Sequence, residues 1–147
     1  MGYLPGGTNI IGYARSKLEL EDFRGRISSY IKTPIEDLKE KVEEFKKLCS
    51  YVSGPYDKVE GYQRLEAAIA EVERNVKGSK NRVFYMALPP SVFVPVARGV
   101  KLTAYSRSGV NRLIVEKPFG HDLESSRQLH LALAPLWKEE EVIGAIL

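Results

Sequence analysis

Cysteine is almost absent: Cys49 stands alone among 147 residues. No intrachain disulfide and no cysteine-built zinc site can form, and a reducing cytoplasm is the expected compartment. Histidine is nearly as scarce, with only His121 and His130. His130 falls within a helical pattern as a surface or boundary residue, and His121 reads as a loop histidine. No apolar run approaches the length needed to cross a bilayer, so no membrane partner is expected. The opening MGYLPGGTNI lacks the basic and apolar regions of a signal peptide. Gly6 also stands where a myristoylation signal requires Ser or Thr.

The usual phosphate loops and nucleophile turns are missing too. There is no G-x-G-x-x-G, no Walker A motif and no G-x-S-x-G. Gly6-Gly7 precede a strand, whereas a phosphate loop must follow one. No metal-ligand cluster or paired carboxylates stand out, so no metal site is expected. The aromatic residues follow core periodicity and build no base-stacking platform. A net charge of +3 falls short of a nucleic-acid footprint but suits phosphate-bearing small molecules.

What is present is an alternation of periods. TNIIGYARSK reads as a strand over Asn9–Ala14 that meets a basic pair at its carboxyl end. Leu20, Phe23 and Ile27 follow at helical spacing. Thr33, Pro34 and Glu36 form a capping box that opens the clearest helix. Ile35, Leu38, Val42, Phe45 and Leu48 line its apolar face, and Asp37–Lys41 and Glu43–Lys47 are favourable pairs on its wet face. SYVSGPYD is a short extended piece. Tyr62, Leu65, Ile69, Val72 and Val76 mark a further helix. RVFYMALPP is an apolar strand stopped by two prolines. SVFVPVARGV is a helix with Pro95 in its first turn, where proline costs little. NRLIVEKP is another strand, and a last helix, with Asp122 as its cap, buries Leu123, Leu129, Leu133 and Leu136.

Apolar strands alternating with amphipathic helices predict an α/β fold. Its parallel sheet carries helices on both faces, within one domain spanning residues 1–147. Ligands of such sheets bind at the strands' carboxyl ends. Three such ends carry marked residues: Arg15-Ser16, Leu88-Pro89-Pro90 and Glu116-Lys117-Pro118. Arg15 fits a surface turn or, if its strand is the second of a dinucleotide fold, the 2′-phosphate of NADP. Lys117 fits a turn lysine or a group aimed at a phosphate. Pro118 ends the strand under either reading.

The segments NRLIVEKPFGHDLESS, NRVFYMALPPSVF, GYARSK, YVSGPYD and LAPLWKEEE together resemble glucose-6-phosphate dehydrogenase, from about Gly2 to Val142. The resemblance implies a Rossmann-type domain that binds NADP in an enzyme oxidising glucose 6-phosphate to the lactone, in the oxidative pentose phosphate pathway. It also implies a family that forms homo-oligomers. By the same resemblance Arg15 meets the adenosine 2′-phosphate and Tyr85 contacts the coenzyme. Lys117 touches coenzyme and sugar phosphate, and Pro118 positions that lysine. The family's glycine-rich turn and first strand precede the segment on which Met1 falls. Its substrate-binding stretch and general-base histidine follow the point where this sequence turns to Gly144-Ala145-Ile146-Leu147. Neither His121 nor His130 matches a family histidine, so no catalytic residue is expected here.

In a Rossmann order the first strand is central. Without it two apolar strand edges stay open, and each unsatisfied buried group costs roughly 1–3 kcal/mol. Domain stability is only about 5–15 kcal/mol, so the expectation is a chain of marginal stability that does not catalyse alone. The alternatives are a non-catalytic NADP or phosphate binder and a subunit-interaction fragment.

Overall fold

The computed structural model describes residues 4–31, 38–116 and 123–145. The chain divides into two compact units, Met1–Pro55 and Tyr56–Leu147. Each has its own parallel sheet with helices.

In the first unit, β1 (Ile10–Ala14) pairs in parallel with β2 (Cys49–Ser53), Ile10 opposite Cys49 and Ala14 opposite Ser53. Helices α1 (Leu20–Tyr30) and α2 (Lys39–Leu48) lie between them in sequence. Gly12 sits in mid-strand for a steric reason. A Cβ there would lie 2.7 Å from the Phe23 ring, so α1 rests that ring directly on the strand backbone. The same ring packs on Tyr51 of β2, with centroids 4.9 Å apart. Arg24 of α1 donates to the Cys49 carbonyl at 3.2 Å, tying the helix to β2.

Helix α2 stops at Leu48, and Cys49 is at once its C-cap and the first residue of β2. The helical pattern thus yields to strand directly after Leu48, with no loop between. Cys49 is buried and its thiol meets the Phe45 carbonyl at 3.3 Å. Burial pushes the thiol pKa up, against the pull of nearby Arg24. Glu43 pairs with Lys46 at 2.8 Å, one residue short of the Lys47 that the spacing favours. The Thr33-Pro34-Glu36 capping box and Asp37 lie outside the described residues.

The second unit holds β3 (Arg82–Met86), β4 (Asn111–Glu116) and β5 (Val142–Ala145), parallel and in that order. Helix α3 (Val59–Val72) precedes β3. A short 3-10 turn at Pro90–Val92 leads into α4 (Phe93–Thr103), and α5 (Leu123–Leu133) follows β4. Pro95 lies in the first turn of α4, as its sequence position predicts. Strand β5 had no counterpart in the sequence reading, because Val142-Ile143 is too short a run to stand out.

The core of this unit joins Tyr62, Leu65 and Ile69 of α3 to Phe93, Val96, Ala97 and Val100 of α4, with Met86, Leu113 and Val115 from the sheet. The α3 stripe is buried only as far as Ile69; the helix ends at Val72, and Val72 and Val76 are exposed. Gly99 of α4 faces the Tyr62 ring so closely that any Cβ would overlap it. Tyr62 is fixed in turn by its hydroxyl, which donates to the Tyr56 carbonyl at 2.7 Å. Trp137 is buried, donates to the Ala97 carbonyl at 3.1 Å and meets Phe84 edge-on.

Two polar clusters close the ends of β3 and β5. The Arg82 guanidinium takes both oxygens of Glu73, at 2.9 and 2.7 Å, and Glu66 at 2.6 Å. Burial alone would lower the Arg82 pKa, but the two carboxylates raise it on balance. Glu141 accepts from the Tyr105 hydroxyl, from Lys101 at 3.2 Å and from the Lys138 backbone at 3.0 Å. The Lys101 ammonium also lies 3.6 Å from the Tyr105 ring centroid and 4.7 Å from that of Trp137. These contacts are stabilising cation–π geometry, and they anchor the segment that leads into β5.

Candidate functional site

Parallel sheets place ligands at the carboxyl ends of their strands. In the first unit that end carries Arg15 and Ser16, both exposed on a bend directly after β1. The backbone beneath them is held on several sides. Tyr51 donates its hydroxyl to the Ser16 carbonyl at 2.5 Å, and Gly54 N–H extends the ladder to the Ala14 carbonyl at 2.9 Å. Tyr13 donates to the Pro55 carbonyl at 2.8 Å. An exposed arginine therefore follows a fixed strand end, and a guanidinium is the chemistry an anionic group requires.

In the second unit, β3 runs into the Leu88-Pro89-Pro90 turn and β4 ends at Glu116. Tyr85 lies opposite Ile114 in the register, so Glu116 stands one pleat further along the same face of the sheet. The half-exposed Tyr85 hydroxyl donates to the Glu116 carboxylate. That hydrogen bond, first of all, raises the tyrosine pKa above its ordinary value. Glu116 is the site residue whose partnership the sequence left unnoticed. Its signal was the parallel register itself, which no single strand reveals.

Lys117, Pro118 and His121 lie outside the described residues. His130 is exposed on α5. A cleft of about 390 Å³ lies at the amino end of β3, lined by Glu66, Glu73, Lys80, Arg82 and Arg107 among others. Its charged floor is the Arg82 cluster, so it is a separate place from the strand carboxyl ends. Among the described residues no group of three or more His, Cys, Asp or Glu could hold a metal ion. No helix of the described residues is long and apolar enough to cross a membrane.

Residues 1–143 match the family described as glucose-6-phosphate dehydrogenase, NAD binding domain. The chain belongs to this family. Its sequence is 49% identical over 140 residues to glucose-6-phosphate 1-dehydrogenase of Emericella nidulans, covering 95% of this chain and 27% of that protein. It is 43% identical over 150 residues to glucose-6-phosphate 1-dehydrogenase 5, cytoplasmic, of Arabidopsis thaliana, covering 96% of this chain and 29% of that protein. A solved glucose-6-phosphate dehydrogenase, in complex with its substrate glucose-6-phosphate, superposes with a TM-score of 0.92 at 46% identity. That superposition covers 98% of this chain and 30% of the solved one. The chain thus spans under a third of the length of these relatives. The parallel sheets with their helices are those of a Rossmann-like, partial α/β domain. Arg15 follows β1 and Tyr85 lies within β3 of this domain, whose family is described as NAD binding.

Proposed function

We propose that residues 1–147 are the greater part of the coenzyme domain of a glucose-6-phosphate dehydrogenase and that the coenzyme is NADP. The observation that carries this is the family match over residues 1–143 joined to an exposed arginine, Arg15, at the carboxyl end of a parallel strand. A planar guanidinium binds a phosphate through two parallel hydrogen bonds, whereas an NAD-selective site places a carboxylate at this point to accept from the ribose hydroxyl. GYARSK offers no acid there.

Tyr85 contributes a hydroxyl fixed by Glu116 beside the ligand. Lys117 follows Glu116 in sequence and is assigned to the contact between coenzyme and sugar phosphate, with Pro118 limiting its backbone. The coenzyme, when bound, supplies the hydride acceptor. In the whole enzyme the substrate is glucose 6-phosphate, and loss of hydride from C1 and of the hydroxyl proton gives 6-phosphoglucono-1,5-lactone. Neither histidine of this chain is assigned the proton, so the isolated chain binds but does not turn over. General-base loss typically lowers rates by about 10²–10⁴-fold. The naming of the plant relative supports a cytoplasmic location.

Calorimetric titration of the purified chain with NADP⁺ and NAD⁺ tests the reading. Tighter binding of NADP⁺, lost on Arg15→Ala, supports it; equal affinity for the two coenzymes overturns the assignment of Arg15.

A further inference from the structure

The cleft at the amino end of β3 gathers charge away from the strand carboxyl ends. Its floor is Arg82, whose guanidinium bonds Glu66 and Glu73 and also donates to the Ala104 carbonyl at 2.6 Å, just past α4. One wall is α3, at Ala70, and the other is the end of α4 with the turn that follows it, at Thr103, Arg107 and Ser108. Both walls belong to Tyr56–Leu147, and neither is the outer edge of β3. The volume of about 390 Å³ lies within the span of small-molecule sites, roughly 300–1,000 Å³.

The charges of this cleft do not cancel. Glu66 and Glu73 are both engaged by Arg82. Lys80 and Arg107 add two cations that form no ion pair among the described residues, so the lining carries an excess of positive charge. Lys80 is half-buried and Arg107 is exposed. The segments that carry them are fastened together. A Cβ on Gly109 would lie 2.1 Å from the Lys80 carbonyl oxygen, and the Val110 N–H donates to Asn81 Oδ1 at 2.8 Å. Buried Asn111 accepts from the Ser106 N–H at 2.9 Å and donates to the Ser106 carbonyl at 2.8 Å, which fixes the residue just before Arg107. Donors held in this way lose little freedom when they bind, and that favours affinity.

We propose that this cleft is an anion site, separate from the coenzyme's, which takes the phosphate of a small polar phosphate ester between Lys80 and Arg107. The arginine fork matches two phosphate oxygens, and lysine adds a point charge. Thr103 and Ser108 each bring a hydroxyl that makes no hydrogen bond within the described residues, so donors remain for the further oxygens. A carboxylate would use fewer of them. Among the described residues of the lining only Ala70 is aliphatic, which disfavours an apolar ligand. The cleft exceeds what a bare phosphate fills, and the space left over suits the hydroxyl-bearing body of an ester. This inference does not depend on the coenzyme reading.

Amide NMR of the full chain, titrated with inorganic phosphate and then with glycerol 2-phosphate at fixed ionic strength, tests it. The expected result is a saturable shift of the Lys80, Arg107 and Ser108 amides with both probes, tighter for the ester. Phosphate held at the strand carboxyl ends is read apart, at the amides of Arg15 and Tyr85. Lys80→Gln with Arg107→Gln removes both charges without removing an ion pair, and should weaken the response at Ser108 about tenfold or more. The wild-type titration decides the matter by itself where that variant loses its fold. Amides of the cleft that do not respond, a response that chloride reproduces at the same ionic strength, or one that the double variant retains in full would each overturn the proposal. Tighter binding of the bare ion than of the ester would overturn the assignment to an ester.

Discussion

Tyr85 on β3 and Glu116 at the end of β4 share one hydrogen bond, and that bond links the carboxyl ends of two neighbouring parallel strands. The carboxylate favours the neutral phenol, so the Tyr85 pKa lies above its ordinary value of 10.0. Glu116→Gln should bring the phenol's titration back down, read as phenolate absorbance against pH. Tyr85→Phe should weaken coenzyme binding several-fold, in line with one lost hydrogen bond. Titration curves that coincide for wild type and Glu116→Gln would remove the basis for this pairing.

Arg15 should set coenzyme preference without setting stability. It is exposed on a bend whose backbone is held by Tyr51 and Gly54, not by its own side chain's burial. Arg15→Ala should lower NADP⁺ affinity by roughly ten- to a hundredfold, the scale of hydrogen bonds to a charged group, and leave NAD⁺ affinity and the thermal midpoint nearly unchanged. A parallel loss for both coenzymes would assign Arg15 to general electrostatics instead.

Gly99 is the helix-packing position most intolerant of a side chain in the second unit. The Tyr62 ring it faces cannot retreat, because the Tyr62 hydroxyl is held by the Tyr56 carbonyl. Overpacking of this kind costs about 1–3 kcal/mol. Gly99→Ala should therefore lower the denaturation midpoint even though alanine is the better helix former. A second change, Tyr62→Phe, should recover part of the loss by freeing the ring.

Glu141 predicts how stability follows acidity. Burial alone would raise its pKa, but Tyr105, the Lys138 backbone and Lys101 together lower it below the ordinary 4.5. A depressed folded pKa gives stability that is present above 4.5 and lost as pH falls through the folded value. Tyr105 is raised above 10.0, chiefly by its hydrogen bond to Glu141. Its contribution is present below 10.0 and lost as pH rises through the folded value. Glu141→Gln should flatten both limbs of a stability–pH curve. Unfolding curves with limbs as steep as wild type would refute the coupling.

Much of the architecture was legible because strand and helix periods differ so plainly. IIGYA, RVFYM and NRLIVE each stood out as apolar runs, and each is a strand in parallel register. The α2–β2 junction was harder, since Leu48 continues a helical stripe and only Tyr51, which must reach Phe23 and the Ser16 carbonyl, pulls the chain into strand. Strand β5 was hidden by its length, and what fixes it is Glu141 just before it, gripped by Lys101 and Tyr105 some forty residues back. Such long-range contacts leave no local period. At the candidate site, Arg15 was readable as a cation at a strand end. The Tyr85–Glu116 bond was not, because it depends on which residues two separate strands bring level.

The single tryptophan gives the chain a built-in reporter. Trp137 is buried within the second unit, between Phe84 and Tyr105 and beneath the Lys101 ammonium, and the first unit contains no indole at all. Its emission therefore follows the unfolding of Tyr56–Leu147 alone, and far-UV circular dichroism follows the helices of both units. Superimposed curves would mark one cooperative transition for the whole chain. A fluorescence curve displaced from the dichroism curve would mark two units that melt at different temperatures.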